Sequence, residues 1–203
     1  MGTLKKVIGF IGLVFSTFFG SGMIFWWLDK RGWLRGRLAS IRGKGGGAMG
    51  SAMIGILLLI LYQCHLQFCH LLGAVFVSFI VGIPAVYAGE KFMLEKWGPA
   101  KRHAGEIATR DFNETCIDEV HGMLIAVLPI YYFYSFDFFE FFFLHLMAFL
   151  AFRFFDAKKI GPVKTIEKAK NIPSPITIML DDSVAGIFAM IVTGLAIIFV
   201  QML

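Results

Sequence analysis

Two pairs of adjacent acids stand beside apolar runs in this chain. Asp118 and Glu119 occur in Ile117-Asp118-Glu119-Val120-His121-Gly122, and Asp181 and Asp182 in Leu180-Asp181-Asp182-Ser183-Val184-Ala185-Gly186. Between them, Arg153 and Asp156 close a third apolar run. A carboxylate deep in a bilayer costs about 2.5–3.5 kcal/mol on insertion scales, and two neighbouring carboxylates also repel each other. Acidic pairs persist at the ends of membrane helices when a cation occupies the space between them. A divalent metal bound to a phosphorylated substrate supplies such a cation.

Each pair is expected at a helix N-terminus, where free N–H groups and the helix dipole favour anions. Adjacent residues on a helix point about 100° apart, so both acids of a pair reach one ion only from a helix end or the preceding turn. Helix capping would account for one such pair. Two pairs on one face point to a metal site formed by Asp118, Glu119, Asp181 and Asp182. Gly122 and Gly186 each follow an acid by four residues and would let the two helices approach closely.

Arg153 and Asp156 are three apart and share a helix face. Arginine can offer a phosphate two parallel hydrogen bonds, so Arg153 is the candidate phosphate ligand, with Asp156 beside it in the catalytic set. Lys158 and Lys159 are further phosphate ligands, or contacts to anionic lipid head groups. His121 is a candidate acid–base or supporting residue behind the metal ligands. Glu106 and Asp111, in the polar stretch before the first pair, are candidates for the same supporting role.

The elements that must position these residues are membrane helices. The chain has 203 residues, is 58% apolar and contains 23 Phe, too hydrophobic for an ordinary soluble domain of this size. Apolar segments run over Val7–Leu28, broken at Gly20-Ser21-Gly22, and over Ala48–Tyr62, Phe68–Ala88, Val120–Phe136, Phe138–Phe155 and Ser183–Leu203. Several approach the roughly 20 residues needed to cross a bilayer. The expectation is an all-α, polytopic membrane helix bundle of five to six segments, forming a single integral membrane domain over residues 1–203. Segment 7–28 either spans or is re-entrant. No cleavable signal peptide is expected, because the first apolar run is too long and lacks an A-x-A-like site. Cys64-His65-Leu66-Gln67-Phe68-Cys69-His70 has neither zinc-knuckle nor haem-attachment spacing and reads as a polar turn.

Sidedness follows from basic residues. The stretches 29–47, 89–116 and 156–178 are basic, whereas the connections near 63–67 and 136–140 carry no Lys or Arg. The positive-inside rule places the three basic stretches together in the cytoplasm. That arrangement brings both acidic pairs, Arg153 and Asp156 to the same side.

Three blocks carry a resemblance. Ile117-Asp118-Glu119-Val120-His121-Gly122-Met123 resembles a D-E-x-x-G-M block of the phosphatidylglycerophosphatase A family. Phe152-Arg153-Phe154-Phe155-Asp156 is similar to its F-R-x-F-D block, with Lys159 at the family's following lysine, and Ile178–Gly186 is similar to its M-L-D-D-x-x-A-G block. Gly45–Ser51 lacks the Pro and Thr of the family's P-G-T-x-G-S segment, no D-P precedes the D-E block, and the later proline-rich run is reduced to Gly161-Pro162. The resemblance implies a Mg²⁺-dependent enzyme of phospholipid biosynthesis that removes the terminal phosphate of phosphatidylglycerophosphate to give phosphatidylglycerol. It also implies a multi-pass protein of the bacterial inner membrane with its active site facing the cytoplasm. The expected partners are that lipid and the surrounding membrane lipids; no nucleic acid is expected and no protein partner is identifiable. A CDP-alcohol phosphotransferase is a competing reading, but its D-G-x-x-A-R…G-x-x-x-D-x-x-x-D pattern does not occur here. A small cation transporter is another, and it would place charges near the bilayer midplane on broken helices.

Overall fold

The computed structural model describes residues 3–20, 23–24, 27, 45–64, 66–101, 107–108, 112, 115–133, 136–167 and 171–202. They form α1 (Thr3–Ser16), α2 (Gly45–Ile60), α3 (Phe68–Trp97), α4 (Ile117–Phe133), α5 (Phe138–Lys158), α6 (Pro162–Glu167) and α7 (Ser174–Gln201). A 3₁₀ turn, Leu61–Cys64, prolongs α2. Apart from a two-residue antiparallel pairing of Ala100–Lys101 with Ile107–Ala108, the described residues are helical or irregular. Glu106 and Asp111 lie outside the described residues.

Helices α3, α5 and α7 are long and apolar enough to cross a membrane, while Val7–Ser16 and Ala48–Ile60 are apolar but shorter. The expected five to six segments are thus represented by three of full length. The central helix, α4, has 17 residues, about 25 Å at 1.5 Å per residue. It is buried along nearly its whole length and packs on α7, α3, α2 and α5. The outer faces are apolar instead: Phe76 and Ile80 on α3, Phe139 and Leu150 on α5, and Ile191 and Leu195 on α7 are all exposed. Such continuous apolar faces suit hydrocarbon rather than water.

The far end of the bundle is closed by capped turns. The Asp137 carboxylate accepts from the Glu140 N–H (2.9 Å), and the Glu140 carboxylate accepts from the Asp137 N–H (3.1 Å), a reciprocal box that starts α5. At the α2–α3 turn, His70 Nδ1 accepts from the Gln67 N–H at 3.2 Å, and Cys64 and Cys69 are exposed. The Tyr62 hydroxyl donates to the Phe136 carbonyl at 3.1 Å, tying the two turns together.

Three boundaries differ from the sequence reading. First, α7 begins at Ser174, not Ser183. Pro175 falls in its first turn, where a missing N–H costs no helical hydrogen bond, and Ile176 to Leu180 continue the apolar pattern. Asp181 and Asp182 are therefore not at the mouth of their helix, and its free N–H groups do not hold them. Second, α3 continues to Trp97, past the expected end at Ala88, because α1 covers the extension. Methyl groups added to Gly9, Gly12 and Gly89 would come within 2.8 Å of Phe92 Cδ2, 2.4 Å of Ala88 Cβ and 2.2 Å of Ser16 Oγ. Third, α1 stops at Ser16. Phe18, Phe19 and Gly20 take positive φ (45°, 57° and 87°), and the Gly20 N–H donates to Thr17 Oγ1 at 3.1 Å. Its 14 residues reach about 21 Å, short of the roughly 30 Å hydrocarbon core.

Candidate metal and phosphate site

Asp118 and Glu119 stand in the first turn of α4, as the sequence indicated. The α4 entry is fixed from two sides. The Cys116 N–H donates to the Ser16 carbonyl at the end of α1 (2.8 Å), and a methyl on Gly50 of α2 would come within 2.7 Å of Cys116 Cβ. Asp182 arrives from α7. Each of Asp118, Glu119 and Asp182 offers a carboxylate oxygen within 4.8 Å of the others.

The close approach of α4 and α7 comes from glycine. A methyl on Gly186 would meet the Gly122 carbonyl oxygen at 2.5 Å, and one on Gly122 would meet the Asp182 carbonyl oxygen at 2.8 Å and the Phe152 ring at 2.4 Å. The spacing of Gly122 and Gly186 after the acids is thus what allows the two backbones to touch beside the carboxylates.

The fourth acid points elsewhere. Asp181 is buried, and its Oδ2 accepts from Lys159 Nζ at 2.6 Å. Adjacent helical residues diverge by about 100°, so within a continuous helix one member of the pair turns toward α4 and the other toward the end of α5. Arg153 Nη1 lies 2.8 Å from Asp156 Oδ2, both partly exposed on the last turns of α5. That contact is an ion pair by distance, but its N–H is not aligned as a donor, which leaves Nη1 without a hydrogen bond. Lys158 is exposed.

His121 is buried one turn further into α4. Its Nδ1 lies 2.8 Å from Ser78 Oγ on α3 and its Nε2 lies 3.0 Å from Ser183 Oγ on α7, with the Phe79 ring tilted over the imidazole. Ser78 Oγ is also 2.9 Å from the Val75 carbonyl, and Ser183 Oγ is 2.6 Å from the Met179 carbonyl. The imidazole ties three helices together directly behind the carboxylates. The sequence reading named His121 but missed both serines. Ser183, next to Asp182, carried a signal, whereas Ser78 is an isolated hydroxyl in an apolar run.

Chemically, the carboxylate cluster suits a hard cation, which takes oxygen donors, and not the softer metals that favour sulfur or imidazole. Glu119 Oε2 is buried without a hydrogen-bond partner, a costly arrangement unless a ligand completes it. The adjoining Arg153 brings a planar donor group to the same end of the bundle.

No curated protein and no solved structure matches the chain. A family model does match, over residues 14–197, a range that takes in the glycine-packed α4–α7 pair, the carboxylates and Arg153. The chain belongs to the phosphatidylglycerophosphatase A family.

Proposed function

We propose that this protein is a Mg²⁺-dependent phosphatase that converts phosphatidylglycerophosphate to phosphatidylglycerol within the membrane. The observation that carries the reading is the convergence of Asp118, Glu119 and Asp182 from two helices, in a chain of this family. These three carboxylates would hold the metal. Bound there, Mg²⁺ would supply charge neutralisation at a phosphoryl oxygen and activation of a water nucleophile.

The remaining steps belong to the chain's own groups. Arg153, whose Nη1 has no aligned acceptor, binds the terminal phosphate of the lipid, and Asp156 orients the guanidinium from 2.8 Å. Lys158, at the exposed end of α5, draws anionic head groups toward the site. The buried Phe152 ring lies against Gly122, keeping the rear of the carboxylate cluster dry and its electrostatic interactions strong. His121, with its two serines, holds α4 in register with α7. Ser183 is buried and its oxygen lies 2.6 Å from the Met179 carbonyl, so water rather than this hydroxyl is the nucleophile in the proposed reaction. The basic stretches support a site on the cytoplasmic side of the membrane, and membership of this family supports a bacterial inner membrane.

The test is phosphate release from phosphatidylglycerophosphate by purified protein in mixed micelles, with and without Mg²⁺. Release that requires the metal and stops in a Glu119→Gln variant is expected. No release from this lipid at any Mg²⁺ concentration would overturn the proposal.

A further inference from the structure

Helices α3 and α7 meet where a methyl on Gly82 would come within 2.6 Å of Met179 Cε. Between that contact and the start of α7 they enclose a cleft of about 650 Å³, a size usual for small-ligand sites. Ile83, Tyr87, Lys91 and Leu94 line it from α3, and Pro173 and Ile176 line it from α7. The α3 residues are three or four apart, so they share one face of the helix. The exposed side of α3 changes character along this cleft. Phe76, Val77, Ile80 and Val81 are exposed and apolar, whereas Lys91, Glu95 and Lys96 are exposed and charged. Tyr87, 60% exposed, stands at the change, as amphipathic rings do at a membrane–water boundary. The cleft thus crosses that boundary, with Ile83 on the hydrocarbon side and Lys91 on the head-group side. Among the described residues Lys91 has no ion-pair partner. The acid in the cleft, Glu90, is buried and engaged within the protein, so the charge on offer at the polar end is positive.

We infer that this cleft binds an anionic phospholipid of the bilayer, with the lipid phosphate at Lys91 and one acyl chain running past Ile83 toward Ile80 and Phe76. A diacyl lipid matches both ends. Its phosphodiester complements the lysine at head-group depth, and its chain continues the apolar surface into hydrocarbon, where a soluble anion has nothing to place. Asp118, Glu119 and Asp182 do not line the cleft. The lipid held here is therefore distinct from one whose phosphate lies at the carboxylates, and the site does not depend on the phosphatase reading.

The experiment places the full-length protein in phosphatidylcholine nanodiscs carrying a lipid probe with a photoreactive acyl chain. The probe is either phosphatidylglycerol or phosphatidylcholine, at equal mole fraction. Cross-linked peptides are quantified by mass spectrometry, and labelling of the cleft is taken relative to the outward face around Phe76 and Ile80. In wild type the anionic probe should label the cleft about fivefold more than the zwitterionic one, the factor that one lysine contributes beside anionic lipid. Lys91→Gln, a change at an exposed position, should remove that preference, and Lys91→Arg should keep it. Glu119→Gln should leave it unchanged. Equal labelling by the two probes in wild type would overturn the inference, as would a preference that survives in Lys91→Gln. A cleft labelled by neither probe would overturn it too, and would give the cleft to a protein segment. Loss of the preference in Glu119→Gln would overturn the separateness of the site by merging it with the carboxylates. Failure of the protein to release phosphate from lipid would remove the phosphatase reading and leave the labelling result standing.

Discussion

The acids of this site are not equivalent, and their differences lead to distinct expectations. Asp118→Asn, Glu119→Gln and Asp182→Asn each remove a member of the cluster and should lower kcat/KM for lipid phosphate release by about 10²–10³-fold, the scale of losing one preorganised electrostatic contact. Near-normal turnover in all three would sink their assignment. Arg153→Ala should cost a comparable factor. Arg153→Lys, which keeps the charge but not the planar fork, should recover only part of it. Wild-type kinetics in Arg153→Ala would instead make Arg153 an interface anchor. Ser183→Ala separates a helix tie from a nucleophile. It leaves a buried imidazole nitrogen unpaired, so it should destabilise the protein by about 1–3 kcal/mol yet keep turnover within roughly tenfold of wild type. A folded Ser183→Ala protein with no activity would identify Ser183 as the attacking group. At this scale much was legible in the sequence. Paired acids and an Arg-x-x-Asp spacing picked out residues that the structure brings together, because buried charge in an apolar chain is costly and conspicuous. Which acid of a pair faces which neighbour was not legible, since that depends on the rotation of α7 and on where α5 ends.

The pairing of α4 with α7 controls whether the acids meet at all. Gly122→Ala and Gly186→Ala place a methyl within 2.8 Å and 2.5 Å of backbone carbonyl oxygens, and backbone cannot yield as a flexible side chain does. Each should destabilise the protein by about 1–3 kcal/mol and weaken Mn²⁺ binding by spreading the carboxylates. Gly194, in the same helix as Gly186, has open space around its Cα. Gly194→Ala should therefore stabilise by about 0.5–1 kcal/mol, as alanine does in a helix interior. Thermal melting of the three variants checks both signs, and equal effects would show that close packing at Gly122 and Gly186 is unimportant. Glycine spacing suggested this crossing from the sequence, and the structure shows it. The start of α7 was misread for a physical reason. Carboxylates look like the boundary of an apolar segment, but hydrogen bonding along the backbone carries the helix through them, and the true start signal was Pro173, the N-cap of α7. The end of α3 was misread because its polar extension is covered by α1, a tertiary effect absent from local pattern.

At the scale of the molecule, the bundle has two chemically different ends. One gathers Asp118, Glu119, Arg153, Asp182 and Lys159. The other is closed by the α2–α3 turn and the cap of α5, with Cys64 and Cys69 exposed and Cys116 buried near the site end. If the basic stretches face the cytoplasm, an impermeant thiol reagent added to intact cells should label Cys64 or Cys69 and spare Cys116. Labelling of neither cysteine until the cells are lysed would invert the topology. Hydropathy made the bundle itself legible, but the number of full-length crossings was not, because α1 and α2 are apolar without being long. The early start of α7 also has a consequence for cellular economy. Asp182 lies eight residues beyond Ser174, about 12 Å along the helix, with Ile176, Ile178 and Leu180 between. On the proposed function, a phosphate tethered to two acyl chains is held at this depth with its tails in the lipid, whereas a free metabolite has no chains to hold it at the membrane. Glycerol 3-phosphate should accordingly release phosphate far more slowly than the lipid under identical conditions, and the proposed phosphatase would spare dissolved phosphate esters.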